Sequence, residues 1–212
     1  MTRGRFITLE GGEGVGKSTQ LRLLGETLAG RGYPVLITRE PGGSPGAEQI
    51  RRLLVEGEVG RWDAMTEALL HFAARRDHLV KTIWPALADG VWVLSDRFAD
   101  STLAYQGYGH GLPLNGMEQL AALVLGNFTP DLTLVLDLPV EEGLRRARGR
   151  DSAEDRYERM DTTFHRRLRE GFLEIARFHP ERCVVVTAQG SVELVRERVR
   201  AAVEARLFDP VV

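Results

Sequence analysis

A single cysteine, Cys183, occurs in the 212 residues, which excludes an intramolecular disulfide and any zinc site built on a cysteine cluster. Its place in the apolar run Cys183-Val184-Val185-Val186 reads as buried filler rather than as a nucleophile. Lysine is almost as scarce. Only Lys17 and Lys81 occur, so 26 of the 28 basic residues are arginine, and a cluster of arginines therefore carries little weight by itself. No stretch approaches the ~20 apolar residues of a membrane span, and no signal peptide is visible, so a cytoplasmic protein with no membrane partner is expected. The net charge of −2 and pI of about 6.2 lack the basic excess that coating a nucleic-acid polymer requires. Internal repeats, low-complexity tracts and Gly/Ser linkers are missing too, and the expectation is one domain over residues 1–212.

What is present is a hydrophobic fraction of 43% and a charged fraction of 27%, the balance of an ordinary globular protein. Short β-branched runs at Phe6–Glu10, Val35–Thr38, Val91–Ser95, Leu132–Asp137 and Val184–Thr187 lack polar alternation, as strands covered on both faces do. Between them the pattern predicts helices over Lys17–Ala29, Pro45–Glu56, Met65–Ala88, Gly116–Leu125, Val140–Ala147, Tyr157–Arg177 and Val192–Leu207. In the third, Met65, Leu69, Phe72, Leu79, Ile83 and Leu87 recur at mostly three- or four-residue steps, which predicts one buried face. Strand–helix alternation means an α/β fold, a five-stranded parallel sheet with helices on both faces. The charge-rich segment Arg145–Arg159 reads as a solvated surface loop or a mobile lid, composition alone favouring the loop.

The strongest local signal is Gly11-Gly12-Glu13-Gly14-Val15-Gly16-Lys17-Ser18, followed by Thr19. It fits G-x-x-x-x-G-K-[ST], the phosphate-binding loop, and sits between an apolar strand and an amphipathic helix carrying Leu21, Leu24 and Leu28, as that motif requires. Glycines let successive N–H groups curl around a polyphosphate, and the helix aims its positive end at the same anion. Lys17 reaches the β- and γ-phosphates, and the Ser18 hydroxyl suits Mg²⁺. A plain helix-capping turn needs neither Lys17 nor a second glycine pair. A nucleotide or small-molecule kinase, a GTP-binding switch and an ATPase motor all use such a loop. No D-x-x-G occurs, and neither lysine has an aspartate two residues on, which disfavours the switch; a motor would carry additional domains.

Ligands of such sheets bind at the carboxyl ends of the strands. There the sequence places Arg39-Glu40-Pro41-Gly42-Gly43 after the second strand and Asp96-Arg97-Phe98 after the third, followed by Ser101, Thr102, Tyr105 and Gln106. A carboxylate ending an apolar strand suits Mg²⁺ or its water shell, so Asp96 joins Ser18 as a metal candidate, and the adjacent Arg97 suits phosphate. Asp137, ending the fourth strand, is a rival for the metal role, but it lacks a neighbouring arginine and reads rather as the N-cap of the next helix.

With these blocks in place the sequence resembles the thymidylate kinase family. The phosphate loop, Thr38-Arg39-Glu40-Pro41-Gly42-Gly43, Phe72-Ala73-Ala74-Arg75, Asp96-Arg97-Phe98, Ser101-Thr102-Leu103-Ala104-Tyr105-Gln106-Gly107, Pro130–Asp137 and Asp155-Arg156-Tyr157-Glu158 agree in order and spacing over nearly the whole chain. The resemblance implies transfer of the γ-phosphoryl group of ATP to dTMP, with Mg²⁺, by a homodimer. It further implies that Glu13 lies near the deoxyribose 3′-hydroxyl, that Arg39 holds the acceptor phosphate and Arg97 lies by both phosphates, that Phe72 stacks on thymine, and that Ser101, Thr102, Tyr105 and Gln106 surround the nucleoside. Arg75 would meet the base carbonyl. Many relatives, however, place the stacking phenylalanine four residues before the arginine, which pairs Phe72 with Arg76 or sets His71 opposite Arg75. Phe72 as plain core is the competing assignment. Because Gly12-Glu13-Gly14-Val15 contains no arginine, the chain is similar to the subgroup whose lid supplies the catalytic arginine. The lid here offers Arg146, Arg148, Arg150, Arg156 and Arg159, with Arg148 and Arg156 the leading candidates. That reverses the preference for a passive loop at 145–159.

Overall fold

The computed structural model describes residues 3–147 and 156–208. Five parallel strands, β1 (Phe6–Glu10), β2 (Val35–Arg39), β3 (Trp92–Asp96), β4 (Leu132–Asp137) and β5 (Cys183–Thr187), form one sheet in the order β2-β3-β1-β4-β5. The α/β parallel sheet is the one expected. Each strand boundary falls within one residue of the sequence pattern, since a β-branched run bounded by Gly, Pro or charge leaves little latitude. Burial follows position in the sheet. The three central strands are almost fully covered, whereas Ile37 on β2 and Val185 on β5 are each 46% exposed, so coverage of both faces fails at the two edges.

Nine α-helices occur among the described residues: α1 (Lys17–Gly30), α2 (Pro45–Val55), α3 (Ala64–His78), α4 (Trp84–Ala88), α5 (Ala99–Thr102), α6 (Leu114–Leu125), α7 (Val140–Ala147), α8 (Thr162–Phe178) and α9 (Val192–Leu207). One core packs α1 and α9 on the sheet through Leu21, Leu24, Leu28, Val195, Val199 and Val203. On the other face lie Phe164, Leu168, Phe172 and Ile175 of α8 with Val135, and Phe6, Leu79, Ile83 and Leu87 with Phe98.

Two expectations need correction. The predicted Met65–Ala88 helix is one helical run, but Leu79–Ile83 forms a π-helical turn before Pro85, whose ring nitrogen has no proton to donate. That turn carries an extra residue, so a 3.6-residue period cannot be counted through it. The buried face of α3 consists of Glu67, Ala68, Phe72, Ala74, Arg75 and His78, and Met65 and Leu69 are exposed. Two charged residues lie on the covered face, which hid it from a hydrophobic pattern. Asp137 does not cap α7; both its oxygens accept from Arg169, at 2.6 and 2.9 Å.

Residues 99–109 are helical through α5 and a second π-helical segment Leu103–Gly109, where the sequence pattern predicts no element. Ala99-Asp100-Ser101-Thr102 and the glycines at 107 and 109 give poor helix propensity. Their order comes from packing on α8.

Candidate active site

The carboxyl ends of β1, β2 and β3 open onto a cleft of about 250 Å³. On its floor the chain turns from β1 into α1. Gly11 has φ 130°, and a Cβ there would lie 2.4 Å from the Leu136 carbonyl oxygen. Gly14 has φ 68°, and a Cβ there would lie 1.9 Å from the Gly143 carbonyl oxygen on α7. Only glycine satisfies both backbone and space at these positions. Lys17, Ser18, Thr19, Glu13, Gly14 and Gly16 line the cleft, while Gly11, Gly12 and Val15 line a smaller space behind the loop.

Lys17 is buried and its Nζ donates to the carbonyls of Gly11 and Gly12, at 3.1 and 2.7 Å. Burial, reinforced by Arg97, lowers its ammonium to about 8, against the pull of Glu13, Asp96 and Glu10. A polyphosphate would return the charge to full strength. Ser18 Oγ donates to Asp96 Oδ2 at 2.6 Å, so the two oxygen ligands expected for a metal meet at the mouth of the loop.

Arg97 follows β3 in the left-handed region, φ 71°, a conformation that costs a non-glycine residue about 1–2 kcal/mol. The turn is held by Glu10. Its carboxylate accepts from Phe98 N at 2.7 Å and from Ser101 Oγ at 2.6 Å, while burial and the neighbouring Asp100 raise Glu10 to about 7. The strained turn aims the guanidinium of Arg97 into the cleft, where it donates to Gly11 O at 3.0 Å and Glu13 Oε1 at 2.9 Å and lies over the Tyr105 ring. Glu13 also accepts from the Tyr105 hydroxyl. Burial alone would raise Glu13, yet Arg97, Lys17 and the Tyr105 hydroxyl hold it at about 2, so it is an anion throughout the neutral range.

Arg39, at the end of β2, lines the cleft and donates to both oxygens of Glu48. Arg51 of α2 also lines it and donates to the Pro41 carbonyl. Nothing in the sequence singled out Arg51; it is one arginine among many, and only α2 packing on α3 turns it inward.

At the far end Arg75 is fully engaged but for one nitrogen. Its Nε donates to Glu40 Oε2 at 2.7 Å, and its Nη2 donates to Phe98 O and to Thr102 Oγ1, both at 2.9 Å. Glu40 is in turn bonded to His78 Nδ1 at 3.1 Å. The remaining Nη1 is buried and has no partner. Gln106 is similar: Nε2 donates to Glu67 Oε2 at 3.0 Å, and the buried Oε1 has no partner. Arg75 and Gln106 both line the cleft.

His71 and Arg75, four apart on α3, both line the cleft; this is the His71-opposite-Arg75 alternative. Phe72 lies in an apolar cluster with Ala68 and Met117, beneath the Arg75 guanidinium, and is not among the lining residues. Arg76 donates to the Val124 carbonyl and lies over Trp84, outside the cleft. Thr102 likewise holds Arg75 rather than lining the cleft. His71 bonds the Tyr157 hydroxyl at 3.0 Å. Burial, with Arg75 and Arg97 nearby, pushes its imidazole down to about 3, so it presents a neutral ring.

The expected catalytic arginines divide. Arg148 lies outside the described residues. Arg156 is fully buried and donates to the carbonyls of Leu54, Glu58 and Val59, at 3.0, 2.9 and 2.8 Å, and to Glu67. All three guanidinium nitrogens are committed, and none reaches the phosphate loop. Three converging backbone acceptors from the 54–59 turn explain why composition could not reveal this.

The thymidylate kinase family profile matches residues 9–199. The chain belongs to the thymidylate kinase family. Curated relatives with that name are 54% identical over 207 residues in Caulobacter vibrioides, covering 98% of this chain and 99% of the relative, and 52% identical over 209 residues in Nitrobacter winogradskyi, covering 96% and 90%. The crystal structure of thymidylate kinase from Ehrlichia chaffeensis is similar with a TM-score of 0.76 at 36% identity, covering 95% of this chain and 99% of that one. The thymidylate kinase fold thus accounts for both the sheet order and the cleft at its carboxyl edge.

Proposed function

We propose that this chain transfers the γ-phosphoryl group of ATP to dTMP, giving ADP and dTDP. The observation that carries the reading is a pair of buried, unpartnered atoms on two residues that line the cleft, the donor Arg75 Nη1 and the acceptor Gln106 Oε1. A buried polar atom without a partner costs about 1–3 kcal/mol, which a ligand of complementary polarity removes. The Watson–Crick edge of thymine offers the O4 acceptor and the N3–H donor, the complement of that pair. Cytosine offers an amino group and an N3 lone pair, the reverse.

The other residues follow from charge and place. Lys17 and the loop amides take the ATP phosphates, and Arg39 with Arg51 takes the acceptor phosphate. Arg97, between Glu13 and the loop, offsets repulsion between the two polyanions, which at ~4 Å amounts to about 4 kcal/mol per pair of unit charges at an effective dielectric of 20. Glu13, anionic and beside Tyr105, accepts from the 3′-hydroxyl, and Ser101 and Tyr105 flank the sugar. Ser18 and Asp96 are hard oxygen donors of the kind Mg²⁺ takes and would hold it, supplying charge neutralisation at the phosphates. No general base is needed, because the acceptor phosphate is already an anion.

One kinase domain running the length of the chain and a cytoplasmic site of action belong to the same reading. The single sheet supports the first, and no helix among the described residues is long and apolar enough to cross a membrane. We also propose a homodimer. Leu69 on α3 and Leu123 on α6, 51% and 82% exposed, give packed neighbouring helices an apolar surface that a second copy would cover. Sedimentation should give a particle of about twice 23.6 kDa, and a species of monomer mass at micromolar concentration would contradict it.

The test of function is turnover of a nucleoside monophosphate panel at fixed Mg·ATP. We expect dTMP to be the best acceptor and dUMP to be close behind, having lost one methyl contact. The ribonucleotide and dCMP should be lower by about ten- to two-hundred-fold in kcat/KM. A purine monophosphate as the best acceptor would defeat the assignment.

A further inference from the structure

Glu67 sits on the buried face of α3, 1% exposed, and does not line the cleft. Three donors meet its carboxylate: Arg156 Nη2 on Oε1, and Gln106 Nε2 at 3.0 Å and the Tyr157 hydroxyl at 3.4 Å on Oε2. His110 Nε2 stands 3.7 Å from the same oxygen. Arg156 cannot turn away, since its other bonds fix it to the carbonyls of Leu54, Glu58 and Val59.

The two ends of a glutamine amide are nearly the same size, so a pocket shape does not choose between its two flips. Hydrogen bonding does. A carboxylate can only accept, so Gln106 must turn its amino group toward Glu67 and leave its carbonyl oxygen on the opposite side, buried and unpartnered. We infer that Glu67, a residue that never touches the substrate, is the positioning residue that sets the polarity of Gln106 and thereby makes the site select a pyrimidine carrying N3–H over one carrying an N3 lone pair. The inference rests on the dTMP reading above. It also gives Arg156 a purpose other than catalysis: by holding one oxygen of Glu67 it leaves the other free to orient Gln106.

The substitution Glu67→Gln tests it. Arg156 still demands an acceptor, so the new amide places its oxygen there and its amino group toward Gln106. Gln106 then flips, and an amino group meets the base where a carbonyl stood. The kcat/KM for dTMP should fall by roughly tenfold to a hundredfold while that for dCMP holds or rises, so the dTMP/dCMP ratio falls at least about tenfold, with the KM for ATP unchanged. Adding Gln106→Glu restores a group that accepts on both sides and should recover the ratio.

Parallel loss on both acceptors with an unchanged ratio, or no loss at all, would overturn the inference. A wild-type enzyme that prefers another acceptor would overturn the dTMP assignment instead, and the two failures are distinct. Should Glu67→Gln fail to fold, NMR of wild type with dTMP decides. A thymine N3 imino proton protected from exchange is expected, and a freely exchanging one contradicts the proposed amide polarity.

Discussion

Replacing Lys17 with alanine should lower kcat by about 10²–10³-fold or more, the loss typical of a preorganised charge at a developing anion, without lowering the melting temperature at pH 7. Lys17 is buried among loop carbonyls and its ammonium is depressed to about 8, against an ordinary value near 10.5. Between these values the unfolded chain binds more protons than the folded one, so this group makes stability rise with pH over that window and makes the charged form a cost below it. Removing Lys17 therefore flattens that rise and relieves the cost. The same depression predicts that ATP binding near pH 8 takes up about half a proton as phosphate restores the ammonium, which calorimetry in buffers of different ionisation enthalpy would detect. The variant should lose that uptake. A K17A protein that unfolds at pH 7, or that turns over near the wild-type rate, would remove Lys17 from the phosphate site.

The second large effect separates two arginines that the sequence grouped together. Arg156→Ala leaves the buried Glu67 carboxylate without its cation and three carbonyls without their donor. Breaking such a pair from one side costs about 3–5 kcal/mol, or very roughly 6–20 °C in melting temperature for a chain of this size. Arg148 lies outside the described residues, as does Arg150. An arginine there that supplies transition-state charge would be worth on the order of 10³–10⁵ in rate, with little effect on melting. Alanine at 148 and at 150 should show the rate loss in at least one case, and alanine at 156 should show the melting loss. A stable Arg156→Ala protein with a collapsed kcat would return Arg156 to a catalytic role.

The contrast marks what the residues alone could convey. Strand positions were legible because β-branched runs between breakers admit few registers, and Gly11–Ser18 because only one ligand class requires that glycine spacing ahead of Lys17. Strand ends then located Arg39, Asp96 and Arg97 without any contact being known. Legibility failed wherever a polar residue serves as core. Glu67, Arg75, His78 and Arg156 are each nearly inaccessible, and a hydrophobic period passes over them. Phe72 and His71 differ by one step, or about 100° around a helix, and the family resemblance assigns the stacking role to the phenyl ring, with His71 opposite Arg75 as the alternative. The π-helical turn at Leu79–Ile83 added a shift that no period reveals. Arg51 enters the site through tertiary packing alone.

The most direct test sets dTMP against dCMP, at equal concentration, in one vessel with limiting Mg·[γ-³²P]ATP, and separates the labelled diphosphates. In such a competition the product ratio equals the ratio of kcat/KM values, free of differences in enzyme preparation or active fraction. The donor Arg75 Nη1 and the acceptor Gln106 Oε1 predict label in dTDP over dCDP by at least about tenfold. Equal labelling, or a majority in dCDP, would contradict the assignment of that pair to the thymine edge and with it the proposed substrate.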